Sequence, residues 1–338
     1  MKIKILRSIF VSVGLLFALA QVQAASFVTF DVPGALFTIG GSINPMGTIT
    51  GDYLGTDFTF HGFVRAPDGT ITTFDAPGAV NGTFLGGGGI TPNGTITGSY
   101  ADADYTNHGF VRAPGGAITT FDVPGAVNGT TPSGINPNGT ITGSYTDASF
   151  ISHGFVRAPN GAFTTFDVPD AVNGTFPSGG ITPNGTTPGS YTDTNFLAHG
   201  FVRAPGGAIT TFDIPGAVNG IFPTGINPEG TITGSYTDAS FISHGFVRAP
   251  DGTITTFDAP GAVDGTFPSN GITPNGTITG TIEGSEEHGF VRAPDGTITT
   301  FDVPGAVLTR PNGINPNGTI TGFYIGAGAH GHGFVRIP

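Results

Sequence analysis

Residues 82–123 read GTFLGGGGITPNGTITGSYADADYTNHGFVRAPGGAITTFDV, and the order of turn and strand signals along this stretch decides the fold. Gly89 to Thr91 ends one extended segment, and Pro92-Asn93-Gly94 follows it. Asn-Gly accepts the positive φ of a tight hairpin turn. Thr95 to Tyr100, rich in β-branched residues, is a second strand, and Ala101 to Asn107 is a loop. His108 to Ala113 is a third strand, Pro114-Gly115-Gly116 turns the chain, and Ala117 to Val123 is a fourth. Elsewhere this last turn is Pro67-Asp68-Gly69, Pro250-Asp251-Gly252 or Pro294-Asp295-Gly296, which fits a type I turn closed by a left-handed Gly.

The same sentence recurs along the chain. His-Gly-Phe-Val-Arg places its His at 61, 108, 153, 199, 244, 288 and 332, at spacings of 47, 45, 46, 45, 44 and 44. A period in the mid-forties holding four strand-like segments is the signature of a propeller blade. The ends are informative too. Phe27 to Asp31 is a fourth strand with no unit before it, and His332 to Arg336 is a third strand with none after it. The expectation is an all-β chain: a seven-bladed β-propeller of four-stranded antiparallel blades over residues 25–338, closed by the N-terminal strand completing the last blade. A β-solenoid is the alternative, but it has no reason to divide a repeat between its termini.

Residues 1–24 read as a secretory signal, with Lys2, Lys4 and Arg7 before an apolar run from Ile9 to Ala20 and Val22-Gln23-Ala24 as the cleavage pattern. A secreted protein, extracellular or periplasmic, is expected. The whole chain carries a net charge of −12, and loss of that segment leaves eight Arg against 23 acidic residues. Such a surface repels phosphate backbones and anionic headgroups, so neither nucleic acid nor membrane insertion is expected, and a monomer is. There is no Cys, so stability rests on burial and backbone pairing. The 58 Gly and 27 Pro are periodic, which separates this chain from a low-complexity one.

The chain resembles the bacterial extracellular HAF-repeat proteins. The likeness rests on His-Gly-Phe-Val-Arg, on Gly134-Ile135-Asn136-Pro137-Asn138-Gly139 and on Gly139-Thr140-Ile141-Thr142-Gly143, and it covers nearly all of the chain after the leader. Gly replaces the Ala of His-Ala-Phe in all seven copies. The resemblance implies secretion and a propeller-like fold, and no defined activity.

Residues repeated in every blade hold blades together more often than they do chemistry. Counting across the third turn sets His61 opposite Asp75, and in the same way His108 opposite Asp122, His153 opposite Asp167, His199 opposite Asp213, His244 opposite Asp258 and His288 opposite Asp302. His332 faces Asp31 if the termini meet. These are expected to be structural bridges, not metal ligands. Arg65 and its equivalents are expected to be paired interblade cations, since an unpaired buried charge is costly.

Singular residues gather in the loops between second and third strands and in the connections between units, which an antiparallel blade puts on one face. Phe58, Tyr105, Phe150, Phe196 and Phe241 recur there. Their rings either form a contact surface or tuck between blades, and the tucked arrangement is preferred. Glu283, Glu286, Glu287 and His330 lie in the last two such loops, with Arg310 on the connection between them. These one-off residues, together with the loop aromatics, are the candidate set for binding a ligand, a cation included.

No catalytic motif is present: no Cys, no Lys after the leader, no G-x-S-x-G and no H-E-x-x-H. No cofactor and no metal are expected. The functional expectation is a secreted non-enzymatic protein that binds a glycan or another protein through the loop face. A purely structural matrix protein is the alternative, and a hydrolase or lyase using Glu286, Arg310 and His330 ranks last.

Overall fold

A computed structural model describes residues 25–328 and 330–338 of the protein, so the expected leader lies outside the described residues. Every element among the described residues is a strand. β1 (Ser26–Phe30) comes first. A four-stranded unit follows: β2 (Phe37–Ile43), β3 (Ile49–Leu54), β4 (Phe60–Arg65) and β5 (Ile71–Phe74). The second is β6 (Thr83–Ile90), β7 (Ile96–Ala101), β8 (Asn107–Arg112) and β9 (Ile118–Phe121). The third is β10 (Thr130–Ile135), β11 (Ile141–Thr146), β12 (Ser152–Arg157) and β13 (Phe163–Phe166). The fourth is β14 (Thr175–Pro177), β15 (Thr187–Thr192), β16 (Ala198–Arg203) and β17 (Ile209–Phe212). The fifth is β18 (Ile221–Ile226), β19 (Ile232–Thr237), β20 (Ser243–Arg248) and β21 (Ile254–Phe257). The sixth is β22 (Gly265–Ile272), β23 (Ile278–Glu283), β24 (His288–Arg292) and β25 (Ile298–Phe301). The last is β26 (Ala306–Ile314), β27 (Ile320–Gly326) and β28 (Gly331–Ile337).

Each unit is an antiparallel meander, and β1 pairs antiparallel with β28, Val28 opposite Val335, to give the last unit its fourth strand. The core lies between units. Phe63, Phe110, Phe155, Phe201, Phe246, Phe290 and Phe334, the Phe of each His-Gly-Phe, are fully buried. Phe74 of the first unit meets Phe110 of the second edge-on with centroids 6.1 Å apart, and Phe30 on β1 meets Phe63 of the first unit in the same way at 5.9 Å.

That packing explains the Gly of each His-Gly-Phe motif. A Cβ on Gly109 would lie 2.5 Å from the Phe121 ring, and the other six motif glycines face their fourth-strand Phe as closely. The Phe ring lies flat over the glycine, and it has a second use. The Arg of the next unit stands over it: Arg112 lies 4.7 Å from the Phe74 centroid, Arg336 4.9 Å from Phe301, and Arg65 5.0 Å from Phe30. The expectation of paired cations is corrected accordingly. The repeated arginines are held by cation–π contact with the neighbouring unit, and burial lowers the Arg112 pKa.

The turn after each first strand carries a second tie. The residue before its Pro alternates: Asn44, Thr91, Asn136, Thr182, Asn227, Thr273, Asn315. Each Asn accepts its own turn's N–H groups and donates from Nδ2 to the next unit, Asn44 to the Thr91 carbonyl at 3.2 Å and Asn136 to that of Thr182 at 3.1 Å. Seven is odd, so the alternation fails once, where Asn315 donates to the Asn44 carbonyl at 3.3 Å.

Candidate functional site

All seven His Nδ1 atoms lie against the fourth-strand carboxylate. The distances are 2.9 Å for His61–Asp75, His108–Asp122, His153–Asp167 and His332–Asp31, 2.8 Å for His244–Asp258, 3.0 Å for His288–Asp302 and 2.6 Å for His199–Asp213. In the first five units Nε2 faces a second carboxylate, from Asp57, Asp102, Asp147, Asp193 or Asp238, at 3.2–3.5 Å. The ring also stacks on a second-strand Tyr, His108 on Tyr100 at 5.0 Å. Burial opposes charge on His108, but Asp122 and Asp102 outweigh it and hold its pKa above the usual value. In the first five units the imidazole is thus a clamp between loop and strand, with its two nitrogens facing apart, which suits bridging and not chelation.

The second carboxylate also builds the loop. Asp102 Oδ1 accepts the N–H groups of Asp104 (2.9 Å) and Thr106 (3.0 Å). The aromatic residue between them is forced into the left-handed region: φ is 62° or 63° at Phe58, Tyr105, Phe150, Phe196 and Phe241. Bulky residues rarely adopt that conformation. The five rings are 76–78 % exposed, which corrects the tucked arrangement.

The singular charged residues are brought together in part. Arg310 lies within β26, not on a connection, and its guanidinium grips the Glu287 carboxylate with both Nε and Nη2, the latter at 2.6 Å. Glu283 stands 3.8 Å from Nη2. Hydrogen bonding to Glu287 raises the Arg310 pKa. This is a satisfied ion pair tying the sixth unit to the last. Glu286 and His330 are exposed and stand outside this ion pair, so the structure brings Glu283, Glu287 and Arg310 together and not all five of these candidate ligand-binding residues.

A different site lies where the first strands converge. They enclose a cavity of about 250 Å³ lined by residues of all seven units, among them Ile43, Ile90, Ile135, Ile181, Ile226 and Ile314. A second cavity of about 180 Å³ shares Ser42, Asn270 and Asn312 with it and adds Ile39, Gly86 and Asp52. Asp52 is the residue sequence reasoning missed. It follows Ile-Thr-Gly in β3, where the other units carry Ser99, Ser144, Ser190, Ser235, Thr281 and Phe323. That column, one carboxylate beside five hydroxyls and Phe323, was the available signal.

Local irregularity makes room for it. In β6 the pairing with β7 jumps between Phe84 and Gly89, and the chain bulges through Leu85-Gly86-Gly87-Gly88. The bulge turns two N–H groups toward Asp52: Leu85 donates to Oδ1 at 2.7 Å, and Gly86 also donates. Asn270, from the sixth unit, reaches across the cavity toward the Gly86 carbonyl at 3.4 Å. Asp52 is only 9 % exposed, and burial pushes its pKa up to about 7 against the opposing effect of the two N–H groups.

A purely structural role accounts for some of this. In the last four units a residue of the first strand donates to the following unit, as Thr224 does to the Pro268 carbonyl (2.9 Å) and Asn312 to that of Gly40 (2.8 Å). The first unit has Gly41 at its irregularity, and Asp52 supplies its link to the second. A hydroxyl makes that link without burying a charge, so the link alone does not explain a carboxyl group facing a cavity.

No family model and no curated relative matches the sequence. Solved structures do. Virginiamycin B lyase from Staphylococcus aureus superposes with a TM-score of 0.63 at 16% identity, over 93% of this chain and 100% of that one. The β-propeller domain of the Trilobed protease from Pyrococcus furiosus gives 0.60 at 8% identity, over 88% and 95%. Puromycin hydrolase gives 0.58 at 12% identity, over 88% of this chain and 52% of that one. At these identities the likeness shows the fold alone, a β-propeller. It nonetheless overturns the step from repeat architecture to a non-enzymatic binding or matrix protein, because the same architecture occurs in a lyase and a hydrolase.

Proposed function

We propose that the seven units close into one ring and that the chain is a secreted enzyme performing proton-transfer chemistry in the axial cavity with Asp52. Closure is supported by the last unit treating the first as every other unit treats its successor. Phe30 packs on Phe63, Arg65 stands over Phe30, and Asn315 reaches Asn44. The leader-like residues 1–24 and the HAF-like motifs support export.

One observation carries the functional reading. Among the described residues lining the two cavities, Asp52 is the one ionisable side chain, and it is buried with a pKa near 7. A base of that strength is matched to neutral pH. It suits an elimination: the carboxylate takes a proton from carbon beside a carbonyl, that C–H pair becomes a carbon–carbon double bond, and the bond to the leaving group breaks. Such a step requires no nucleophile, in keeping with a chain without Cys. Ser42, Asn270 and Asn312 offer neutral donors and acceptors to orient the carbonyl.

The test is a panel of cyclic and linear esters whose acyloxy group sits on the carbon next to the one bearing the acidic hydrogen. That hydrogen lies beside a second carbonyl, so a carboxylate leaves as the double bond forms, and absorbance of the unsaturated product is followed. Turnover is expected to rise with pH to a plateau, with its midpoint near 7. Asp52→Ser and Asp52→Asn are expected to lose about 100-fold or more in kcat while keeping the fold. Full turnover by Asp52→Ser contradicts the proposal.

A further inference from the structure

The distribution of charge says more about what enters the cavity. The sequence contains eleven basic residues, of which Lys2, Lys4 and Arg7 precede the described region. Seven of the remaining eight, from Arg65 to Arg336, stand over Phe rings between units. The eighth, Arg310, is gripped by Glu287. None of them lines either axial cavity, whose polar groups are Asp52, hydroxyls, amides and backbone. An anion there would meet a carboxyl group and no counter-charge. The field of a chain with net charge −12 also favours a cation at any recess.

The rest of the lining is neutral and mixed. Around the larger cavity six isoleucines from six units stand among glycine backbone, Ser42, Asn270 and Asn312. Ile43, Ile90, Ile135, Ile226 and Ile314 also pack into the clusters between units. The smaller cavity shares Ser42, Asn270 and Asn312 with it and adds the carboxyl group of Asp52. A buried carboxylate is tolerated when a cation is paired with it, so cation and ionised Asp52 stabilise each other.

We infer that the axial cavity selects a small organic cation, with an ammonium or amidinium group at Asp52 and the remainder of the molecule toward the glycine- and isoleucine-lined cavity beside it. This rests on reading the cavity as the substrate site, and it names a class of ligand that regulates that site: an ammonium group paired with Asp52 lowers its basicity and blocks proton abstraction. Binding converts Asp52 to its charged form, so it releases a proton wherever Asp52 is otherwise protonated. Affinity for the cation therefore rises with pH until the carboxyl group is ionised, while a neutral molecule of the same shape shows no such rise.

The probes are benzylammonium and benzyl alcohol, titrated into the full chain and followed by the amide NMR signals of Leu85, Gly86 and Asn270. At about pH 8, benzylammonium is expected to bind about tenfold or more tightly than benzyl alcohol. That preference is expected to shrink toward about pH 6, and Asp52→Ser is expected to erase it without changing the affinity for the alcohol. Asp52→Asn serves as the second variant should the serine chain fold poorly. Equal affinity for the two probes, no saturable binding of benzylammonium, or an unchanged preference in the variants overturns the inference. The ester panel separates this outcome from the catalytic one. A cation preference without turnover leaves the ligand class standing and removes the chemistry, whereas Asp52-dependent turnover without a cation preference does the reverse.

Discussion

Asp52 and His153 differ in depth, and that decides what their loss costs. Asp167, the partner of His153, is about half exposed, so His153→Ala leaves a carboxylate that water reaches. The expected loss is about 0.5–1 kcal/mol in a thermal or denaturant melt, with turnover unchanged. Asp52 is buried, and its raised pKa makes it a liability in alkali. Its neutral form is the one the fold favours, so the contribution is full below the unfolded value near 4 and is lost as pH rises through about 7. Asp52→Ser is therefore expected to melt higher than the native chain at about pH 8, by roughly 2–4 kcal/mol, and to lose this advantage at about pH 5. A variant less stable than the native chain at both pH values contradicts this. The identity of Asp52 as an outlier was legible in the second-strand column of the repeat. Its burial was not, because that depends on a bulge in β6, whose glycine run carries no side-chain pattern to read.

Strands and turns were the legible part of this chain. Asn-Gly and Pro-Asp-Gly marked the hairpins, and the count across the third turn set each His beside its Asp. The second carboxylate escaped because it lies in a loop whose shape comes from its own Asx bonds, and the exposed aromatics escaped because left-handed φ at Phe or Tyr has no signature. The fourth unit tests how well the strand pattern explains stability. Elsewhere the second strand begins Ile-Thr-Gly, with the Ile fully buried and the Thr hydroxyl donating to the motif Phe carbonyl, as Thr97 does to Phe110 at 2.8 Å. In β15 these positions are Thr187, whose buried hydroxyl has no partner, and Pro188, which has no N–H to donate. β14 is only three residues long and stops at Pro177, opposite Gly189, so it does not reach them. Thr187→Ile with Pro188→Thr is expected to stabilise the protein by about 1–3 kcal/mol in a denaturant melt. A loss of stability would mean that the shortened strand is required.

At the scale of the molecule, the proposed closure rests on the termini, which meet where β1 pairs with β28. Deleting residues 25–33 removes β1, the Phe30 ring on which Arg65 stands, and the partner of β28. A lower melting temperature and association through the bared β28 edge are expected by calorimetry and sedimentation, while an unchanged monomer contradicts closure. The clamps add a pH dependence to the whole. His61, His108, His199 and His244 have raised pKa values and contribute fully below about pH 6.5, fading as pH rises through the folded value. Asp57, Asp102, Asp147, Asp193 and Asp238 have lowered values and contribute above about pH 4, fading as pH falls through the folded value. Stability is thus expected to peak in between, on the acidic side of neutral.

Ring, cavity and chemistry meet in the titration of Asp52. Its carboxyl group is buried beneath the bulge of β6, and the proposed chemistry depends on that burial. The decisive measurement is the pH titration of its carboxyl carbon by NMR in the intact protein, assigned by its absence in Asp52→Ser. A midpoint near 7 that moves down when benzylammonium is added is the expected result. A midpoint in the ordinary carboxylate range near 4, unmoved by the cation, contradicts both the buried site and its chemistry.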